Sequence, residues 1–246
     1  DRFGVKPLFF MHTGQNFIFA SELKSFMALP KYLRPEFDLT MVARMKNEES
    51  IDQTLLKGVR NLNGGCCLKL GVERTPRVRR WWETAEHLFE PPAKFEEQVE
   101  LYKEIFFDSC KLRMRSDVAI GVALSGGLDS SSVSCSMSEI RKMSSTEQRL
   151  ANNWQQAFVL VYEDTDQNEE EFARRVIQHT GNTPRYRYLN PRNITEKEIR
   201  QSILSFEAVQ NAEPSLGPWK IYEEMKNHGV RVSLDGIGGD EALGGY

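Results

Sequence analysis

The chain has 246 residues, of which 40% are hydrophobic, 27% charged and 10% aromatic, and its formal net charge at pH 7 is −3. This composition excludes a fibrous or wholly disordered chain, and the small net charge argues against a nucleic-acid partner. The longest apolar run, Val118 to Leu124, is too short to cross a bilayer, so we expect no membrane partner. Four cysteines, of which Cys66 and Cys67 are adjacent and the other two stand alone, form no disulfide framework, which favours a reducing cytoplasm.

Residues 1–90 read as a β-rich, irregular region. Apolar runs between Leu8 and Ala20 flank a turn-rich segment and predict a β-hairpin, which a short helix started by Ser21 could follow. A second helix is expected to begin at Asp38. Strands are predicted over Cys66 to Leu70 and over Val78 to Trp82, and we expect Trp81 and Trp82 to pack against the hairpin.

A linker is predicted at Glu90 to Ala93, because consecutive prolines bar helix continuation. It divides the chain into domains at residues 1–90 and 91–246. Directly after it, apolar residues recur at steps of three and four, which is typical of an amphipathic helix. The stripe consists of Phe95, Val99, Tyr102, Phe106 and Cys110.

Apolar strands then alternate with amphipathic helices, the pattern of a parallel sheet with helices on both faces. We therefore assign the fold class α/β. Strands are predicted at Val118 to Leu124, Ala157 to Tyr162, Arg185 to Tyr188 and Val230 to Leu234, and helices from Ser130, around Phe172 and Val176, at Ile199 to Phe206 and at Pro218 to Met225. Ligands of such sheets bind beyond the carboxyl ends of the strands.

The first motif, Ser125 to Ser132, follows the strand that ends at Leu124. Its two glycines allow a tight turn, and the following helix offers unpaired N–H groups to phosphate oxygens. Asp129 would repel a phosphate unless a hard cation such as Mg²⁺ lay between them, so the loop predicts a metal-chelated phosphate. It lacks the lysine of a Walker A motif. The alternative is a turn that merely joins strand to helix.

The second motif, Leu234 to Glu241, follows the last predicted strand. Because Glu241 stands where a dinucleotide fingerprint needs its third glycine, a Rossmann cofactor is disfavoured. The glycines would admit a base or ribose, and Asp240 supplies a second ligand for the same metal. The alternative is a glycine-rich turn with solvated acids.

Two segments of the chain resemble motifs of the asparagine synthetase family. Ser125 to Ser130 is similar to the family's pyrophosphate loop. Gly236 to Glu241, followed by Gly244 to Tyr246, is similar to the family's second synthetase motif. Asp1 to Leu8 and Phe19 to Lys24 resemble the final segments of its class II glutamine amidotransferase domain. The resemblance implies that residues 1–90 are the C-terminal part of a glutaminase domain of the N-terminal-nucleophile type. It also implies that residues 91–246 form a synthetase domain similar in fold to the adenine nucleotide alpha hydrolases.

By the same resemblance, the activity is an ATP-dependent amide ligase of asparagine biosynthesis. It activates a carboxylate, with aspartate the first expectation, as an acyl-adenylate, releases pyrophosphate, and lets ammonia from glutamine displace AMP. The implied nucleotide-binding residues are Leu124, Ser125, Gly126, Gly127, Asp129, Ser130, Val161, Asp235 and Gly236, and the implied Mg²⁺ ligands are Asp129 and Asp240. No catalytic residue is assigned, and a homodimer is left open.

Three departures from the family qualify this expectation. The family's nucleophilic cysteine is N-terminal, whereas all four cysteines here are internal, so we expect no glutamine hydrolysis by this chain alone. A lysine that the family contributes to the reacting centre would lie after Tyr246. Ile237 stands where asparagine synthetases usually hold a glutamate, which weakens aspartate as the substrate. The alternatives are closure of a lactam or peptide ring, another pyrophosphate-loop enzyme, or an ATP-binding remnant without turnover.

Overall fold

The computed structural model describes residues 1–41, 52–143, 155–163, 165, 168–207 and 212–243. It divides into two compact units. The first comprises Asp1–Glu90 with Phe206–Val209, and the second Pro91–Ser205 with Gln210–Tyr246.

The first unit is built on a three-stranded antiparallel sheet. Strand β1 (Phe9–His12) lies between β2 (Phe17–Ala20) and β3 (Val59–Asn61). The pairs Phe9 with Ala20 and His12 with Phe17 set the register of the predicted hairpin, which is confirmed. The predicted short helix is present as α1 (Lys24–Met27) and buries Phe26, but it begins three residues after Ser21, with Leu23 as its N-cap. The helix predicted from Asp38 is seen only over residues 39–41, because the rest lies outside the described residues.

A second antiparallel pair joins β4 (Cys66–Leu70) to β5 (Pro76–Arg80). The predicted pairing is confirmed, but β5 begins and ends two residues earlier than expected. The prediction that both tryptophans continue this strand is wrong. The ring of Trp82 stacks on His87 with centroids 3.7 Å apart, so a ring contact after the strand accounts for its position.

The second unit opens with helix α2 (Phe95–Arg113), as its apolar stripe predicted. The stripe is only partly buried. Cys110 lies in the core and Phe106 packs against it, whereas Phe95, Val99 and Tyr102 are 72%, 45% and 46% exposed. The periodicity therefore located the helix correctly but not the extent of its buried face.

Four parallel strands and five further α-helices complete the described part of this unit, which confirms the predicted α/β class. The strands are β6 (Ile120–Ala123), β7 (Gln156–Tyr162), β8 (Thr183–Leu189) and β9 (Val232–Ser233), in the spatial order β8-β7-β6-β9. The helices are α3 (Leu128–Met143), α4 (Glu170–Thr180), α5 (Glu196–Phe206), α6 (Ala212–Asn227) and α7 (Gly239–Leu243), after α2.

Each face of this sheet is covered by helices. On one face α2, α3 and α4 pack over side chains such as Val122, Val159 and Val161. On the other face, α6 packs over Phe158 through Ile221. Because alternate residues of a strand point to opposite faces, β7 supplies apolar side chains to both cores, which explains its almost continuous apolar sequence.

Helix α6 is further held by a buried ion pair. The Lys220 side chain is only 4% exposed, and its ammonium donates to the carboxylate of Glu198 on α5. This hydrogen bond, with others from Thr195, lowers the pKa of Glu198 to about 2. The pair orders the helix that forms one wall of the cavity described below.

Helix α7 begins inside the second motif, at Gly239. No helix of the described residues is both long and apolar enough to cross a membrane.

The packing of α3 can be tested with two methionines of the same helix. Met137 is 1% exposed and Met143 is 80% exposed. We expect Met137→Ala to lower the free energy of unfolding by about 2–5 kcal/mol, because it leaves a cavity in the core, and Met143→Ala to change it by less than about 0.5 kcal/mol. Urea unfolding followed by circular dichroism measures both. Equal losses would contradict the described burial of α3.

Candidate functional site

Two hydroxyl groups close the loop between β6 and α3. The Ser130 Oγ lies 3.1 Å from the Ser125 Oγ and accepts the Ser125 N–H at 3.3 Å. The Ser125 Oγ in turn accepts the Gly127 N–H at 3.1 Å. The loop is thereby folded onto the start of α3, whose first N–H groups, as in any helix, lack acceptors within the helix.

The position of Gly126 requires a glycine for two reasons. Its φ is +92°, which favours glycine. A Cβ atom there would also lie 2.5 Å from the Ala173 nitrogen and 2.6 Å from the Phe172 Cβ of α4. Gly126 therefore seats the loop against α4.

The second motif lies directly against the first. The Leu234 N–H donates to the Gly121 carbonyl at 3.0 Å, which brings the end of β9 beside β6. A Cβ on Gly236 would lie 2.5 Å from the Ser130 nitrogen and 2.7 Å from the Asp129 carbonyl carbon, and one on Gly239 would overlap the Asp129 carboxylate. Only glycine permits this approach, so the two motifs share one site.

Asp235 links the ends of β6 and β9 to α6. Its Oδ1 accepts the Ala123 N–H of β6 at 3.3 Å and the hydroxyl of Ser233 in β9. Its Oδ2 accepts the hydroxyl of Tyr222 on α6 at 2.7 Å. Burial, together with this hydrogen bond to a carboxylate, raises the pKa of Tyr222, so its phenol remains a donor at neutral pH.

These residues surround a cavity of about 660 Å³ at the carboxyl end of the sheet. Five carboxylates line it, and none of the described lining residues is a lysine, arginine or histidine. The acids are Asp129, Glu169, Asp235, Asp240 and Glu241. No group of three or more His, Cys, Asp or Glu side chains among the described residues is arranged to hold a metal ion without other ligands. An anionic ligand would therefore need a cation bound together with it.

Eight of the sequence-predicted site residues line this cavity. They are Leu124, Ser125, Gly127, Asp129, Ser130, Asp235, Gly236 and Asp240. Gly126 instead packs against α4 and does not line the cavity. The Val161 side chain lies in the core on the opposite face of the sheet, so only its backbone could reach a ligand. Gly244 to Tyr246 fall outside the described residues.

The sequence analysis missed the opposite wall of the cavity, which α6 and β7 form. Tyr222, Ile221 and Gly217 come from α6, and Leu160 and Tyr162 from β7. A Cβ on Gly217 would lie 2.6 Å from the Tyr162 hydroxyl, so the glycine in α6 permits close packing there. The sequence signal was the Gly-Pro pair inside a helical pattern, which is costly without a packing reason.

Two further side chains have positions that the sequence did not indicate. Glu169 lines the cavity, whereas its neighbours Glu170 and Glu171 pair with Arg174 and Arg175. Ile237 also lines the cavity and is 81% exposed. An exposed isoleucine therefore adjoins the acidic site.

The contact between the motifs can be tested by adding one methyl group. We expect Gly236→Ala to lower the free energy of unfolding by about 1–3 kcal/mol, because its Cβ would meet backbone atoms at 2.5–2.7 Å. The matched control is Gly127→Ala, whose Cβ would lie 3.2 Å from the rotatable Ser125 hydroxyl. Thermal unfolding of both variants measures the difference. A larger loss for Gly127→Ala would contradict the described contact.

Comparisons with known proteins agree on one family. The family model described as asparagine synthase matches residues 101–246, and the one described as glutamine amidotransferase domain matches residues 1–82. The chain is 28% identical to "Putative asparagine synthetase (glutamine-hydrolyzing) 2" of Methanocaldococcus jannaschii, with 100% of this chain and 46% of that protein covered. It is 24% identical to Amidase chyE of Penicillium rubens, covering 100% of this chain and 37% of that protein.

A third relative is asparagine synthetase (glutamine-hydrolyzing) 2 of Bacillus subtilis, which is 24% identical over 100% of this chain and 34% of its own length. The chain thus spans about a third to a half of the length of these relatives. The asparagine synthase model alone covers more than half of the 246 residues, and it includes both motifs of the cavity. The chain therefore belongs to the asparagine synthetase family.

Proposed function

We propose that this chain carries the nucleotide site of an ATP-dependent ligase that forms an amide and releases AMP and pyrophosphate. The observation that carries the proposal is the acidic cavity formed by the hydroxyl-rich loop and the second glycine motif. Membership of the asparagine synthetase family supports amide formation. The names of two relatives, an asparagine synthetase and an amidase, likewise refer to amide chemistry.

The residues of the cavity fit Mg²⁺ together with a triphosphate. Mg²⁺ in proteins usually takes one or two carboxylates and completes its shell with phosphate oxygens and water. Asp129 and Asp240 line the cavity and belong to motifs that are in contact, so they are the proposed ligands. When bound, the ion would neutralise the negative charge that develops on pyrophosphate as it leaves.

The chain's own groups would bind and orient the phosphates. The hydroxyls of Ser125 and Ser130 and the first N–H groups of α3 are donors at the loop. Donors already fixed by the fold stabilise developing charge without reorganising during the reaction. In the proposed reaction an oxygen of the carboxylate substrate bonds to the α-phosphorus, pyrophosphate leaves, and ammonia or another amine then displaces AMP.

The proposed source of ammonia is glutamine, because residues 1–82 match the glutamine amidotransferase model. Aspartate remains the first expectation for the carboxylate. Ile237 favours a second candidate, a relative that makes another amide such as a lactam or a peptide ring, since an exposed isoleucine at the cavity can neither pair with charge nor transfer a proton.

The four free thiols support a reducing, cytoplasmic setting.

The metal ligands can be tested by isosteric neutralisation. We expect Asp129→Asn and Asp240→Asn each to weaken the binding of Mg-ATP by roughly tenfold or more, because each removes one ionised ligand. Titration calorimetry with and without Mg²⁺ measures the effect. The matched control is Asp117→Asn, an exposed carboxylate before β6, which should leave the affinity unchanged. Unchanged affinity in both site variants would refute the metal assignment.

The products distinguish this reaction from other uses of ATP. With Mg²⁺, ATP, a panel of carboxylates and hydroxylamine, the proposal requires AMP, pyrophosphate and a hydroxamate. ADP and phosphate would contradict the adenylate. ATP binding without any product, for every carboxylate supplied, would instead favour a remnant that binds nucleotide without turnover.

A further inference from the structure

A second cavity, of about 620 Å³, lies beside the acidic cavity of the proposed nucleotide site, between α2, α3 and the second motif. Its volume is typical of sites that bind small molecules. The start of α3 and the second motif form a wall that the two cavities share. The residues that line both cavities are Leu128, Asp129, Asp235, Gly236, Ile237 and Gly238.

Away from this shared wall, aromatic side chains of α2 line the second cavity. The rings of Tyr102 and Phe106 are stacked there, with centroids 5.9 Å apart. Phe107 and Val133 add further apolar surface. Tyr102 is 46% exposed, so the core of the unit does not cover this surface. The second cavity therefore offers apolar contacts next to a site that is itself acidic.

The apolar surface also extends onto the shared wall. Leu128 and Ile237 line both cavities, and they are 78% and 81% exposed. Two large aliphatic side chains thus stand at the boundary between the acidic cavity and the aromatic one. A molecule that reached from the second cavity to the first would contact them.

The charged side chains of the second cavity have partners of opposite charge on their own helices. Lys103 is the only basic side chain among the described lining residues, and its ammonium lies 3.9 Å from the carboxylate of Glu100 on α2. Glu139 lies 2.7 Å from Lys142 on α3. A ligand with a charged group in this part of the cavity would therefore meet no unpaired opposite charge, and placing an unpaired charge against apolar side chains is unfavourable.

We infer that the second cavity binds the carboxylate substrate and that this substrate carries an aromatic or large aliphatic group. The inference rests on the proposed function and selects its second candidate, an amide other than that of asparagine. The α-phosphorus that the substrate attacks would lie near the shared wall, because the proposed metal ligand Asp129 belongs to that wall. The reacting carboxylate would then face the nucleotide, and the apolar group would lie against Tyr102, Phe106 and Ile237.

The occupancy of the second cavity can be measured without turnover, through a thiol. Cys135 of α3 lines the cavity, and the exposed Cys67 of β4 is an internal control. The chain is incubated with Mg²⁺ and an ATP analogue that has a methylene bridge between the α- and β-phosphorus atoms. One of three ligands is added: 3-phenylpropanoate, its neutral amide, or aspartate. Peptide mass spectrometry then measures the rate at which iodoacetamide alkylates each thiol.

We expect 3-phenylpropanoate to slow the alkylation of Cys135 about tenfold at about ten times its dissociation constant, and to leave Cys67 unchanged. The neutral amide and aspartate, at the same concentration, should protect Cys135 at least several-fold less. Tyr102→Ala should weaken the binding of 3-phenylpropanoate several-fold, because it removes an aromatic contact. The matched control is Phe95→Ala, an exposed aromatic residue of the same helix that does not line the cavity, which should leave the binding unchanged.

The outcomes separate the inference from the proposed function. Protection by aspartate that equals or exceeds that by 3-phenylpropanoate, or no protection by either acid, would overturn the substrate class. Titration calorimetry with the ATP analogue shows independently whether the nucleotide site stands. Equal protection by the neutral amide would also overturn the inference, because the cavity would then not distinguish a carboxylate.

The variants supply a further way to overturn it. If 3-phenylpropanoate protects Cys135 equally in Tyr102→Ala and in the wild-type chain, the ligand does not lie against α2. If the ATP analogue does not bind at all, the proposed function is contradicted and the inference fails with it. Thermal unfolding of both variants verifies that they fold.

Discussion

The close approach of Asp129 to the glycines of the second motif is the contact on which the site depends. Gly236 and Gly239 bring their backbone so near that a single added carbon at either position would meet the loop or its carboxylate. Since the two motifs are far apart in sequence, this contact forms only when β6 and β9 pair in the parallel sheet. The parallel sheet thus determines where the chemistry-bearing residues meet.

The same arrangement concentrates negative charge in one cavity. Carboxylates from the loop, from the start of α4 and from the second motif line one cavity, and the described lining residues include no basic side chain to balance them. Like charges in a partly buried site repel unless a counterion or a hydrogen-bond donor is supplied. Asp235 obtains its donors from within the fold, whereas Asp129 and Asp240 face the cavity as the proposed ligands of a metal. The site therefore contains one carboxylate, Asp235, that is hydrogen-bonded within the fold, and two, Asp129 and Asp240, that are the proposed ligands of a cation.

Much of the architecture follows from local patterns in the sequence. Alternating apolar and amphipathic segments predicted the order of strands and helices, because each side of a covered parallel sheet must be apolar. Both motifs were found directly after strands, where the carboxyl edge of such a sheet collects ligands. The bounds of β6 and β9 were less accurate, since the predicted strands Val118 to Leu124 and Val230 to Leu234 extend beyond the observed strands at both ends.

What the sequence could not predict depended on how separate elements face each other. Tyr222 lies on a helix whose pattern indicated only a buried face, and its bond to Asp235 arises from the packing of α6 on the sheet. The position of Val161 was predicted from resemblance, but strand alternation turns its side chain into the opposite core. Likewise, the apolar period of α2 located a helix, whereas the exposure of Phe95 depends on what the helix packs against.

The central claim is that Asp129 and Asp240 share one divalent ion with the phosphates of ATP. The most direct measurement is a crystal structure of the chain with Mn²⁺ and a non-hydrolysable ATP analogue, in which anomalous scattering locates the metal. The account predicts one anomalous peak with carboxylate oxygens of both residues and phosphate oxygens at roughly 2.0–2.3 Å, the range of hard divalent cations bound by oxygen. A peak that lies away from both carboxylates, or a nucleotide bound elsewhere on the chain, would contradict it.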